Sequence, residues 1–157
     1  MTYFVLKYVH IIGAAVLLGT GAGIAFFMLL GHYTGKPAIV AAIIRIVVIA
    51  DFMFTATAVV VQPISGAALA WHMGWSLWEG WIALSTVLYI VAGLFWLPVV
   101  WMQLRMRDLA SQAAAGGGSL PLAYYQLFRW WLAFGFPAFG SVLAIFWLMI
   151  AKPIIAW

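Results

Sequence analysis

This 157-residue chain has no cysteine and few charged residues, acidic residues least of all. The absence of cysteine excludes disulfides, thiolate metal sites and thiol redox chemistry. Charged residues make up 6% of the chain, whereas a soluble domain carries about 25%. The three acidic residues lie in different segments, which leaves little basis for hydrolysis by paired carboxylates. A phosphate-binding loop, a dinucleotide fingerprint and the common zinc and nucleophile motifs are also missing.

Long hydrophobic runs take the place of charge. Hydrophobic residues make up 68% of the chain, and the mean hydropathy is +1.16. Such runs are typical of an integral membrane protein, and they do not alternate with polar residues as the strands of a membrane barrel do. We therefore predict an all-α fold: an integral membrane four-helix bundle that forms a single domain and contacts membrane lipid.

The hydrophobic runs predict four spans and one flexible connection. The spans lie at about residues 3–30, 38–71, 82–104 and 124–153. Residues 110–121 are rich in Ala, Gly and Ser and predict a flexible linker. The loop before the third span is rich in tryptophan, which is typical of the headgroup region of a membrane. Its tryptophans are Trp71, Trp75, Trp78 and Trp81.

Basic residues predict the orientation of the bundle. The connection between the third and fourth spans holds Arg105, Arg107 and Arg129, whereas the connection before it holds no lysine or arginine. The positive-inside rule therefore places the third connection in the cytoplasm and both termini on the periplasmic side of a bacterial inner membrane. Lys36 and Arg45 agree with this orientation. The seven basic residues are scattered along the helix ends, so we expect no nucleic-acid binding.

Asp51 is the one acid that lies deep within a hydrophobic run. Such an acid is costly in a membrane and indicates a functional site. On a regular α-helix Asp51, Thr55 and Gln62 fall on one side, which predicts a buried polar stripe that other helices must cover. Pro63 follows the stripe and predicts a kink. Two roles for Asp51 fit this pattern equally well: a proton-transfer group, or a hydrogen-bond or salt-bridge partner within the bundle.

A second set of candidate residues lies at the predicted periplasmic end. Lys7 and His10 share a helix face, and Lys152 lies at the end of the fourth span. A histidine at this depth fits an axial haem ligand, a proton carrier or a polar group between helices. The lysines either snorkel to the interface or bind the carboxylates or phosphates of an amphiphile. Candidates for a second haem ligand are His72, Met53, Met149 and Lys7.

Several motifs resemble those of a bacterial integral membrane family of unknown function. They are Lys7-Tyr-Val-His10, Asp51-Phe-Met-Phe-Thr55, Gln62-Pro63-Ile-Ser-Gly66 and Lys152-Pro153, and the resemblance covers almost the whole chain. The opening Lys-x-x-His and the closing Lys-Pro are also distantly similar to HemJ-type protoporphyrinogen oxidase. The general layout is similar to that of CopD-like haem and copper membrane proteins. The similarity to HemJ-type protoporphyrinogen oxidase implies that His10 ligates haem b and that Lys7 and Lys152 contact anionic groups.

The leading functional hypothesis is a haem-b protein in which His10 is the metal ligand. Lys7, Lys152 and His72 would complete the cofactor site, and the protein would act in electron transfer, in oxidation of a tetrapyrrole or in quinone-linked chemistry. The sequence identifies no catalytic residue.

Two alternatives belong to other functional classes. One is a non-catalytic subunit or assembly factor of a larger membrane complex, or a homo-oligomer. It would dock through small residues such as Gly19 and Gly23, whose spacing lets helices approach closely. The other is a proton-coupled carrier of a small molecule or metal that uses Asp51.

Overall fold

The fold is an all-helical bundle of four long helices, as the hydrophobic runs predict. The computed structural model describes residues 1–155, and this range contains no strand. Each of the four helices is long and apolar enough to cross a membrane, which confirms the predicted class. The helices are α1 (Thr2–Thr34), α2 (Pro37–Met73), α3 (Gly80–Ala115) and α4 (Leu122–Ala151).

Glycine and proline set the ends of α1 and α2. Gly35 adopts the left-handed conformation (φ 62°) and donates its backbone N–H to the carbonyl of His32, which ends α1. Pro37 then starts α2, where its fixed φ suits the first helical position. Gly74, also left-handed (φ 70°), ends α2. The turn between α1 and α2 is therefore only two residues long.

Half of the predicted linker is helical. α3 continues to Ala115, so the non-helical connection is 116–121, shorter than the linker predicted at 110–121. The alanines at 113–115 are strong helix formers, and Ala110 is completely buried against the core of the bundle. Packing and propensity together extend the helix about two turns beyond Arg107.

The bundle has two distinct ends. The end that carries the 35–36 turn and the 116–121 linker is called here the linker end, and the opposite end, where α1 begins and α4 stops, is called the terminal end. α1 packs along α2, the first part of α2 packs on α3, and α3 and α4 share the most extensive contact. α1 and α4 lie close at few points, one of them where a Cβ added to Gly21 would be 3.7 Å from the Phe139 ring.

Side chains in the two halves of the bundle differ in character. The largest completely buried side chains are concentrated towards the linker end, where one apolar cluster joins all four helices. Around the middle and the terminal half, most buried residues are small or polar: Gly13, Asp51, Thr55, Ala58, Gln62, Ser65, Ala70, Ser85 and Ser141. Small residues let helices approach closely in lipid, where no hydrophobic force draws them together.

Pro63 does not end α2, which continues to Met73. A proline inside a helix cannot donate to the carbonyl four residues earlier, here that of Val59. The hydroxyl of Tyr89 on α3 donates to this carbonyl instead. In a membrane no water is available to satisfy a freed carbonyl, so this bond ties α3 to α2 at the proline.

Candidate functional site

Asp51 is buried inside the bundle, where its segment of α2 packs against α1 and its carboxyl reaches Trp96 on α3. Its side chain is 2% exposed, and its Oδ1 accepts a hydrogen bond of 3.3 Å from the indole Nε1 of Trp96. Its other oxygen, Oδ2, has no hydrogen-bond partner among residues 1–155. The hydroxyl of Thr55, which is 7% exposed, lies one turn further along α2 and is close enough to act on the same carboxyl. A buried acid and a buried hydroxyl at one place in a transmembrane helix indicate a functional site.

The backbone around Asp51 is a π-helix over Asp51–Thr55. The N–H of Ala56 donates to the carbonyl of Asp51, five residues earlier, and the N–H of Asp51 is shared between the carbonyls of Val47 and Val48. A π-turn of this kind is rare and is frequently found at functional sites. Here it lies at the one acid enclosed in an apolar run.

The π-turn changes the predicted polar stripe. One extra residue in a turn rotates everything beyond it by about 100° relative to a continuous α-helix. Asp51 faces Trp96 on α3, whereas Gln62 faces α1 and donates to the carbonyl of His10 at 2.8 Å. Asp51, Thr55 and Gln62 are all buried, but Gln62 belongs to a different helix contact.

His10 lies in the contact between α1 and α2. Its Nδ1 is 2.8 Å from the hydroxyl of Ser65, and its ring lies against Gly66, where an added Cβ would be 3.2 Å from Cε1. One helical turn along α1, a Cβ added to Gly13 would lie 2.7 Å from Nε2 of Gln62. The close approach of α1 to α2 therefore depends on Gly13 and Gly66, one on each helix.

The other three residues predicted around His10 lie at the terminal end, where Lys7 and His72 share Tyr3 as a partner and Lys152 has two tryptophan partners. Lys7 Nζ is 5.6 Å from the centre of the Tyr3 ring, and His72 stacks on Tyr3 with ring centres 6.2 Å apart. Lys152 Nζ lies 4.3 Å from the ring of Trp75 and 5.5 Å from that of Trp81. The structure thus places these residues at one end but holds them in cation–π and stacking contacts.

The further ligand candidates are dispersed as well. Met53 faces outward and is 61% exposed, while Met149 packs on the small cluster of Ala70, Trp81 and Ile82. Within the described range, no three His, Asp or Glu side chains come together as a metal-binding group.

The sequence did not indicate the contacts that Trp96 and His32 make. Trp96 carries no polar spacing signal, so its bond to Asp51 was not predicted. His32 follows the predicted first span at about residues 3–30 but lies in α1, stacked on Phe128 with ring centres 3.8 Å apart and ring planes 4° apart. Its Nδ1 is 3.4 Å from the hydroxyl of Tyr124, which is completely buried. These stacking and hydrogen-bond contacts join α1 to α4 at the linker end.

Substitution of Gly13 tests whether α1 and α2 need the close approach. Gly13→Val would push Gln62 off the carbonyl of His10, and we expect it to lower the free energy of unfolding by about 1–3 kcal/mol. Gly19→Val is the matched control, since no atom lies within 4 Å of the Cβ it would add. Thermal unfolding in detergent, followed by circular dichroism, measures both. Equal stability of the two variants would show that this contact does not hold the helices together.

Comparison with known proteins identifies a family without a described activity. The chain matches the family described as "Predicted integral membrane protein (DUF2269)" over residues 4–153. No curated protein and no solved structure gives a significant match. Because the match covers nearly all of the bundle, from the first turn of α1 to just past the end of α4, the chain belongs to this family of predicted integral membrane proteins.

Proposed function

We propose that the protein is a proton-linked membrane carrier of a small solute or metal ion in which Asp51 binds the proton. The observation that supports this most directly is the buried carboxyl with one oxygen unpaired, inside a transmembrane helix. Intramembrane acids of this kind commonly belong to proton relays of pumps and transporters.

The surroundings of Asp51 suit a group that gains and loses a proton. Trp96 holds Oδ1 in place, while Oδ2 and the Thr55 hydroxyl have no other partner among the described residues. A proton taken from one aqueous phase would form an O–H bond at Oδ2. The same proton would leave to the opposite phase once the solute has moved, which restores the carboxylate. The one ion pair within residues 1–155 joins Arg107 to Asp108, so no basic side chain compensates Asp51.

The π-turn supplies a means of coupling proton binding at Asp51 to a movement of the helix. A π-turn and an α-turn differ by one residue, so a shift between them would rotate Asp51 relative to Trp96. Such a rotation would change which side of the bundle the carboxyl faces, and this is the step that a carrier needs. The linker end is proposed to face the cytoplasm of a bacterium, because the basic connections lie there.

Infrared difference spectroscopy between acidic and alkaline buffer tests proton binding. In the wild-type protein we expect a carbonyl band from a buried protonated carboxyl that appears at acidic pH. Asp51→Asn should remove this band, because the amide cannot titrate. Asp108→Asn is the control and should leave it, since Asp108 is 42% exposed and paired with Arg107. A band that persists in Asp51→Asn would contradict the proposal.

A haem-b protein with His10 as ligand is the second candidate, and the His10–Ser65 contact favours it. The bond to Ser65 fixes the ring through Nδ1, while Nε2 has no hydrogen-bond partner in the described chain. Metal-ligating histidines are usually held in this way through their second nitrogen. His10 would hold the haem, with Lys7 and Lys152 at the same end for anionic groups, as the resemblance of the Lys-x-x-His and Lys-Pro motifs to HemJ-type enzymes implies. Haem would supply one-electron redox chemistry.

Absorption spectroscopy with added hemin separates this candidate from the first. A Soret band that forms with the wild-type protein and is lost in His10→Ala would support haem binding. His32→Ala is the matched control and should keep the band, because His32 lies at the opposite end of α1. Wild-type protein that gives no specific band with hemin would remove the haem candidate and leave the Asp51 proposal standing.

The open face of α1 supports a third role, that of a subunit in a larger complex or homo-oligomer. Among residues 1–155, a Cβ added to Gly19 or Gly23 would meet no atom within 4 Å, so no described helix packs closely on this small-residue face. Stoichiometric partners that co-purify from native membranes would favour this role over the other two.

A further inference from the structure

The helices are much longer than the membrane is thick. They contain 33, 37, 36 and 30 residues, which corresponds to lengths of roughly 45–55 Å. The hydrocarbon layer measures about 30 Å. A substantial part of each helix must therefore lie outside it, unless the whole bundle is strongly tilted.

Exposed tryptophans indicate where the membrane lies along the bundle. Trp71 and Trp78 are 88% and 84% exposed at the terminal end, and Trp101 and Trp130 are 57% and 62% exposed towards the linker end. Tryptophan is enriched at both interfaces of a membrane. Along α3, the 20 residues from Trp81 to Trp101 span roughly 30 Å. The linker-side boundary of the hydrocarbon therefore lies near Trp101 and Trp130.

The most completely buried side chains lie beyond that boundary. Met106, Ala110 and Tyr124 are 0% exposed, and Val40 and Ile44 are 1% exposed. In lipid no hydrophobic force favours burial of such side chains, whereas in water it is the dominant force. Complete apolar burial at the linker end is what a helical segment in water requires.

Three arginines surround the bundle where it would leave the membrane. Arg45 on α2, Arg105 on α3 and Arg129 on α4 are all exposed. Arg105 follows Trp101 by one helical turn, and Arg129 is adjacent to Trp130. None of the three belongs to the ion pair found in residues 1–155.

The depths of these arginines can be compared through contacts between the helices. The Asp51–Trp96 hydrogen bond sets a common level for α2 and α3. From that level Arg45 lies six residues and Arg105 nine residues towards the linker end, roughly 9 and 14 Å. Phe95 on α3 contacts Phe134 on α4 with ring centres 5.4 Å apart, and from that level Arg129 lies five residues, roughly 8 Å, towards the linker end. The three arginines thus fall in a layer about as thick as a phospholipid headgroup region, and they are called here the arginine collar.

We infer that the linker end forms a water-exposed helical extension and that the arginine collar at its base binds the phosphate groups of anionic phospholipids. The acid nearest to the collar along the chain, Asp108, is already paired with Arg107, so the collar is left with a net positive charge. Guanidinium groups bind phosphate oxygens in a bidentate manner. A basic residue near an anionic membrane surface contributes about fivefold in affinity, equivalent to about 1 kcal/mol. This inference does not depend on the role of Asp51 or His10.

Cysteine labelling tests the position of the membrane, since the natural chain has no cysteine to interfere. In proteoliposomes with both orientations accessible, Gln112→Cys should react with a membrane-impermeant maleimide. Leu97→Cys should not react, although Leu97 is 61% exposed on the same helix, because it would lie in hydrocarbon. Equal reactivity of the two positions would overturn the proposed boundary.

Spin-labelled lipids test the collar. In phosphatidylcholine membranes, wild-type protein should immobilise spin-labelled phosphatidylglycerol several-fold better than spin-labelled phosphatidylcholine. Arg45→Gln/Arg105→Gln/Arg129→Gln should bring this ratio close to one. The control Arg107→Gln/Asp108→Asn removes a neighbouring pair without changing the net charge and should keep the wild-type ratio.

Single substitutions guard against misfolding of the triple variant. Each of Arg45→Gln, Arg105→Gln and Arg129→Gln should lower the ratio by part of the total while the helical content stays unchanged. Undiminished selectivity in all three single variants, or in a folded triple variant, would overturn the inference. If free inorganic phosphate at the same concentration as the lipid abolishes the selectivity, the collar binds a soluble anion. That result would also overturn the inference.

Discussion

The hydrogen bond from Trp96 to Asp51 is the interaction on which the arrangement of α2 depends. A carboxyl inside a membrane helix must find a partner on another helix, because lipid offers none. Trp96 on α3 provides one donor at 3.3 Å, and the π-turn at Asp51–Thr55 turns the carboxyl towards it. Beyond the π-turn α2 presents a different face, so that Gln62 and Ser65 bind α1. One local irregularity thus lets a single helix serve two neighbours.

Polar and backbone groups, rather than apolar area, organise the terminal half of the bundle. Tyr89 satisfies the carbonyl that Pro63 leaves free, and Gln62 donates to a carbonyl of α1. Gly13 and Gly66 remove the side chains that would keep α1 and α2 apart. Towards the linker end the same chain buries large apolar side chains completely. The two halves follow the two rules of helix packing, one for lipid and one for water.

The sequence was sufficient for the class, the number of helices and the burial of Asp51. Mean hydropathy and the absence of alternation lead to the helical bundle, since few other folds satisfy every backbone group in lipid.

Three features of the structure could not be predicted from the sequence, for physical reasons. A helical wheel assumes a continuous α-helix and cannot foresee a π-turn, so the partner of Asp51 could not be identified. The glycines at 19 and 23 have the spacing of a packing motif, yet the close approach is at Gly13. The spacing shows that one face of the helix carries small side chains, but it does not show whether another helix covers that face. The sequence around Ala110 predicts a linker, because the burial of Ala110 depends on residues far away in the chain that the local sequence does not reveal. One overlooked signal was Pro63, which demanded a donor such as Tyr89 for the carbonyl of Val59.

The central claim, that the π-turn directs the Asp51 carboxyl to Trp96 on α3, can be measured by solid-state NMR in lipid bilayers. The protein would carry ¹³C-labelled aspartate and ¹⁵N-labelled tryptophan indole, and the dipolar coupling between the Asp51 carboxyl carbon and Trp96 Nε1 would be recorded. Trp96→Phe serves to assign the signal. We predict a coupling that corresponds to a direct hydrogen bond, as the 3.3 Å contact requires. No coupling to Trp96, together with proximity of the Asp51 carboxyl to Gln62 on a continuous α-helical face, would contradict the account.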